Sequence, residues 1–242
     1  MEFCPVCETR LVGDVCRQCN PVDFQELPYK SWLTWMRSQY TAGHIVGPYS
    51  CDTYYPKKWN FYSLPFSQNI IRTKHGSKEA ANYLCEKMYD DLLQYEFLID
   101  DVKIIVPVPN EKCVYTDATL IAEEFAKIIR ERVRENIRSD NFILERVAKS
   151  DPYRKTSSHV DKYNSSLQDY KVNEKLKEYM LKNGVKNILK DKKILLIDDN
   201  STSGITIGVC STRLLQLGAK QVIMFCAGST YLASVPYLPS GA

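Results

Sequence analysis

Ile194-Leu195-Leu196-Ile197-Asp198-Asp199-Asn200-Ser201-Thr202-Ser203-Gly204-Ile205-Thr206 is the stretch on which the fold turns. Lys193 to Ile197 has the length and apolarity of a buried strand, and the two acids mark where it reaches the edge of a sheet. Asn200 to Ser203 is expected to turn. Ile207, Cys210, Leu214 and Leu217 then recur at helical spacing, Gly218 provides a stop, and Val222 to Cys226 is again strand-like. Strand, helix and strand in that order predict a parallel βαβ unit. The expected class is therefore α/β, a parallel sheet flanked by helices that receives ligands beyond the carboxyl ends of its strands. Adjacent carboxylates at a strand end accept hydrogen bonds from neighbouring sugar hydroxyls. The turn after them offers hydroxyls and free N–H groups at a helix N-terminus, where a phosphate dianion binds, and Gly204 permits close approach. Together they suit a ribose 5-phosphate.

Upstream, Ser77 is placed to cap a helix running to about Tyr95, with Ala80, Leu84, Met88 and Leu92 as its apolar stripe. Lys103 to Val108 reads as a buried strand broken by Pro107-Val108-Pro109-Asn110. Thr116 or Asp117 begins another helix, whose core face (Ile121, Phe125, Ile128, Ile129) extends to about Ile137. Phe142 to Val147 reads as a second strand. Ala148 to Tyr170 is polar and without period, which predicts a long mobile loop. A lysine-rich helix or turn is expected over about Asn173 to Asn183. Val22 to Pro65 is aromatic and proline-punctuated, and predicts irregular strands or turns. The expected organisation is a module at 1–21, a hood segment and helix at 22–100, and the core at 101–242.

Four of the nine cysteines lie in the first 20 residues, a segment with too little apolar mass to fold by burial. Cys4-Pro5-Val6-Cys7 and Cys16-Arg17-Gln18-Cys19 form two CxxC knuckles, a spacing that suits a closed, structural four-thiolate zinc site. Cys210 and Cys226 fall on core-facing positions and read as packing. Met1-Glu2-Phe3-Cys4 has neither the basic nor the apolar region of a secretory signal, so a reducing, cytoplasmic setting is expected. No apolar run reaches the length of a membrane span. With a net charge of +3 over 242 residues, composition alone gives no case for a duplex-binding surface.

Asp198-Asp199 and the Thr202-Ser203-Gly204-Ile205-Thr206 turn resemble the signature of the type I phosphoribosyltransferases. The resemblance implies that Asp198 and Asp199 contact the ribose 2′- and 3′-hydroxyls. It gives the 5′-phosphate to Thr202, Ser203, Gly204 and Thr206 with the neighbouring amides, and counts Asn200, Ser201 and Ile205 among the residues that bind the activated sugar. Pro107, Val108, Pro109 and Asn110, the loop after the first core strand, inherit the pyrophosphate of 5-phosphoribosyl-1-pyrophosphate, with magnesium. The cysteine ribbon, the Pro-Val-Pro loop and the motif near the C-terminus together look like the ComF family, associated with DNA uptake. Lys74 and Lys162-Tyr163-Asn164 also resemble segments of that family. Where its pattern has Arg-Gly-Phe-Asn-Gln, this chain reads Glu111-Lys112-Cys113-Val114-Tyr115-Thr116. The cation facing pyrophosphate is then expected from magnesium, Lys112, Arg146, Lys149, Arg154 or Lys155.

Two functions follow from the resemblance. One is transfer of the phosphoribosyl group to a nitrogen nucleophile, with residues 149–163 closing over the site and His159 as a possible base. The other is a non-catalytic phosphoribosyl-binding module in a DNA uptake, DNA-processing or defence assembly, with a protein or nucleic acid met through the ribbon. Arg130, Arg134 and Arg138, and likewise Lys182, Lys186 and Lys190, fall at helical spacing, but interleaved acids make a solvated face the expectation.

Overall fold

The two apolar runs of the last third become neighbouring central strands, and the rest of the sheet is assembled around them. The computed structural model describes residues 45–54, 64–93, 101–109, 117–132, 136–147, 159–185 and 188–230. The elements in chain order are β1 (Ile45–Tyr54), α1 (Pro65–Lys74), α2 (Lys78–Leu93), β2 (Val102–Pro107), α3 (Asp117–Arg132) and β3 (Arg138–Ser139). They continue with β4 (Leu144–Arg146), α4 (His159–Ser166), β5 (Tyr170–Val172), α5 (Glu174–Lys182), β6 (Lys193–Ser201), α6 (Ile205–Gln216) and β7 (Gln221–Thr230). Five strands form one sheet in the order β1-β7-β6-β2-β3, every neighbouring pair parallel. The chain is thus α/β, with the parallel sheet and flanking helices expected from the βαβ pattern.

Strand alternation divides the core in two. Ile194 and Leu196 of β6, with Ile104, Val106, Val222 and Met224, pack against Ile207, Cys210 and Leu214 of α6. Leu195 and Ile197, with Ile105, Ile223 and Phe225, pack against Ile70 of α1, Leu84 and Met88 of α2, and Ile121 and Phe125 of α3. Phe125 and Phe225 stack across that face, with ring centroids 6.4 Å apart. The crossover from β2 through α3 to β3 therefore runs over one face, and that from β6 through α6 to β7 over the other. The direction of winding reverses between β2 and β6, and a sheet of this kind opens a crevice at the carboxyl ends of the two strands where it reverses.

Local signals explain the ends of several elements. Ser77 Oγ accepts from Ala80 N–H at 3.3 Å, capping α2 as its sequence predicts. Asn173 Oδ1 accepts from Lys175 N–H at 3.0 Å at the start of α5. Gly47 in β1 has φ +89°, and a Cβ there would lie 2.4 Å from Met224 O. The position tolerates only glycine while β1 hugs β7. Among the described residues no helix is long and apolar enough to cross a membrane.

Four expectations are corrected. The helix expected to reach Ile137 ends, as described, at Arg132. Ile137 is buried just before β3, and Arg130 Nη1 donates to its carbonyl at 3.0 Å. Arg138 sits on β3, so Arg130 and Arg138 are not two points of one helical stripe. The strand over Phe142 to Val147 shrinks to β4, which leaves the main sheet and pairs antiparallel with β5. The polar stretch Ala148 to Tyr170 is not all loop: α4 is held by buried Tyr163 and Ser166 and by Leu167 packed on the core. That is too few apolar residues to show a period. Finally, the aromatic stretch before Pro65 contains β1, a ten-residue edge strand of the main sheet. The cysteines expected to bind zinc, Cys4, Cys7, Cys16 and Cys19, lie outside the described residues, as do Asn110, Lys112, Lys149, Arg154 and Lys155.

Candidate functional site

β6 outlasts its neighbour β2. Pairing with β2 ends at Pro107 opposite Ile197, extended only by Val108 N–H donating to Ile197 O at 2.8 Å, while pairing with β7 continues to Ser201 opposite Ser229. Asp198, Asp199, Asn200 and Ser201 therefore project past the end of β2, at the crevice where the winding reverses. Pro107 and Val108 are buried beside them and Pro109 is half-buried, so the proline loop and the acid pair share one end of the sheet.

Alternation sends the two carboxylates to opposite faces. Asp199 turns toward α1, where its Oδ2 lies 2.9 Å from Lys74 Nζ. This is an ion pair by distance, but it is not an aligned hydrogen bond. The Lys74 ammonium also sits 5.8 Å above the Tyr54 ring. Asp198 turns toward α6, and its Oδ1 accepts from Asp199 N–H at 3.0 Å. Its charge reaches the neighbouring Cys210, Cys226 and Tyr170. Burial first, then Asp198, pushes both thiols well up, so they stay neutral packing groups, as their core-facing spacing predicts.

The turn after β6 leads directly into α6. Gly204 takes φ +69° as the N-cap of α6, a left-handed conformation costly for other residues, and no side chain caps the helix there. Ser203 Oγ accepts from Ile205 N–H at 3.4 Å, and the first-turn amides of Thr206 and Ile207 face out of the helix. Thr202 is exposed and Ser203 half-buried.

Two residues beyond the motif join it. Asn200 Nδ2 donates to Thr230 Oγ1 at 2.5 Å, and Thr202 and Thr230 share a hydroxyl hydrogen bond of 2.8 Å, so the end of β7 braces the turn. Asn200 Oδ1 and Ser229 Oγ are buried oxygens with no hydrogen-bond partner among the described residues. Buried acceptors are ordinarily satisfied, so orphans gathered at the tips of β6 and β7 are what a ligand or ordered solvent would complete. On the other face, Arg146 of β4 lies 5.4 Å from the centre of the Tyr170 ring of β5. Arg146 is among the cations expected from sequence. Ser229 and Thr230 carried no signal, because each reaches the turn from a strand whose own sequence pattern says nothing of it.

Asp198 and Asp199 are hard oxygen donors of the kind magnesium prefers. The assembled class is an α/β protein with a polar cluster at the reversal point of a parallel sheet. No protein-family model matches the chain, and no curated protein does.

Proposed function

We propose that this chain has the type I phosphoribosyltransferase fold and binds 5-phosphoribosyl-1-pyrophosphate with magnesium, transferring its phosphoribosyl group to a nitrogen nucleophile. One placement carries the reading. Twin acids at the tip of β6 lie at the reversal crevice and lead straight into an uncapped, glycine-started helix N-terminus, as a sugar with a terminal phosphate requires. In this reading Asp198 and Asp199 accept from the ribose hydroxyls, Thr202 to Thr206 hold the 5′-phosphate, and Pro107 to Asn110 face the pyrophosphate. Magnesium bound with the ligand would supply charge neutralisation for the leaving group. The nucleophile's lone pair forms the bond to C1 as the C1–O bond to pyrophosphate breaks, and the nucleophile's proton passes to solvent or a base. Positioning and charge stabilisation supply most of the rate. The N-terminal cysteines Cys4, Cys7, Cys16 and Cys19 hold a structural zinc, and the reduced thiols this needs suit the cytoplasm.

A second reading is favoured by the sequence after Asn110, which lacks an arginine for the leaving group. On that reading the same site binds the sugar phosphate without turnover, as a module of a DNA-handling or defence assembly. Magnesium-dependent pyrophosphate release from the activated sugar, assayed against a panel of bases and amines, separates the two. Release with any acceptor supports the transferase. Tight binding with no release across the panel leaves the binding module.

A further inference from the structure

The last residue of β7 adds to the turn after β6 something its motif does not contain. Building on the phosphoribosyl reading of that turn, we propose that Thr230 is the positioning residue for Thr202. It relays a hydrogen bond from the Asn200 amide and turns the Thr202 hydroxyl proton toward the ligand's 5′-phosphate.

A phosphate dianion only accepts, so a hydroxyl that meets it must present its proton. A threonine hydroxyl has one proton, and Thr202 can give it to a ligand only if Thr202 accepts in its bond with Thr230. That bond, 2.8 Å between the two oxygens, is open to either direction. Asn200 sets the direction. Its Nδ2 donates to Thr230 Oγ1 at 2.5 Å, which leaves the Thr230 proton for Thr202 and the Thr202 proton for the ligand. The donors then run one way, from Asn200 N–H through Thr230 O–H and Thr202 O–H to a phosphate oxygen, and bonds aligned in this manner strengthen one another. The backbone holds the relay in place. Asn200 and Ser201 pair with Gly228 and Ser229 across β6 and β7, and Thr230 pairs with Tyr54 of β1, so Thr230 is fixed from both sides. A Cβ on Gly228, directly opposite Asn200, would lie 3.3 Å from Asn200 Oδ1 and 3.1 Å from the Phe66 ring. Glycine there lets the amide that begins the relay fit between its neighbours. Thr202 is exposed, so a ligand can reach it. Buried Ser229 Oγ, on the residue before Thr230, has no partner among the described residues, as expected where a ligand or ordered solvent completes the site.

The test is calorimetric titration of 5-phosphoribosyl-1-pyrophosphate with magnesium into the full chain, for wild type, Asp198→Asn, Thr202→Ala, Thr230→Val, Thr230→Ser and the double variant of Thr202→Ala with Thr230→Val. Thr230 ends its strand and is half-buried, so Thr230→Val, which keeps the outline of the side chain, should fold; otherwise Thr230→Ala takes its place in both variants. Thr202→Ala, which loses a bond to a charged group, should bind about 10-fold or more weaker. Thr230→Val should bind about threefold or more weaker, the size of a neutral hydrogen bond, and Thr230→Ser, which keeps the hydroxyl, should stay within about twofold of wild type. Because Thr230 acts through Thr202, the double variant should bind no more weakly than Thr202→Ala alone. A brace that only shapes the end of β7 would give additive losses. Additive losses, wild-type affinity in Thr230→Val, or a Thr230→Ser variant no better than Thr230→Val, while Asp198→Asn still loses binding, would overturn this assignment and leave the phosphoribosyl reading intact. No binding by the wild type would overturn both.

Discussion

Adjacent aspartates on a strand must face opposite ways, and this gives Asp198 and Asp199 different partners although the sequence presents them as a pair. Asp199 is nearly buried against Lys74, and removing the lysine leaves a carboxylate with little solvent. Because Lys74 is itself partly exposed, Lys74→Met should cost only about 1 kcal/mol in urea unfolding, and Asp199→Asn should cancel most of that loss in the double variant. Additive losses would mean that the pair is not coupled. Asp91 on α2 offers a second residue-scale test. Burial pushes its carboxyl from the usual 3.8 up to about 6, against a Cys51 hydrogen bond and Lys87 that pull it down. The folded chain therefore holds this proton more firmly than the unfolded one. The stability it contributes is present below about pH 3.8 and is lost as pH rises through about 6. Asp91→Asn should flatten that decline in a series of denaturant midpoints, and equal slopes in the two proteins would refute it. At this scale the motif was legible because its residues are consecutive. Ser229 and Thr230 were not, because they join it only when β7 pairs with β6.

Elements were readable where burial leaves a period. In the stripe Ala80, Leu84, Met88 and Leu92 every residue is buried, the last three in the cluster on one side of the sheet, and the run Ile194 to Ile197 is buried on both sides, so the helical period and the unbroken run each report their place. α4 left no such trace, since its place on α6 depends on the Tyr163 hydroxyl and buried Ser166 more than on apolar mass. β1 was hidden for a different reason: its partner β7 lies at the far end of the described chain, and a parallel edge strand carries no turn signal to its neighbour. Its geometry gives an element-scale prediction. Gly47→Ala combines a positive φ with a Cβ 2.4 Å from Met224 O. The strain alone costs about 1–2 kcal/mol, so the variant should unfold at clearly lower denaturant, while Gly76→Ala, whose added Cβ meets nothing, should lose less. Equal losses at the two glycines would show that β1 does not press on β7 as described.

Across the whole molecule, strand order is what turns a short motif into a site. Winding reverses between β2 and β6, and at their carboxyl ends the described chain places a proline loop, two acids and a helix start without a side-chain cap. The N-terminal knuckles make a separate whole-chain prediction: the purified protein should carry about one zinc by elemental analysis, and Cys16→Ser should lose it. A metal-free wild type would remove the ribbon from the account. The central claim is met most directly by calorimetry of 5-phosphoribosyl-1-pyrophosphate on the intact protein. Saturable binding that requires magnesium and weakens about 10-fold or more in a folded Asp198→Asn variant is the predicted result. A wild type that takes up no sugar phosphate, or an Asp198→Asn variant that binds it equally well, would contradict the account.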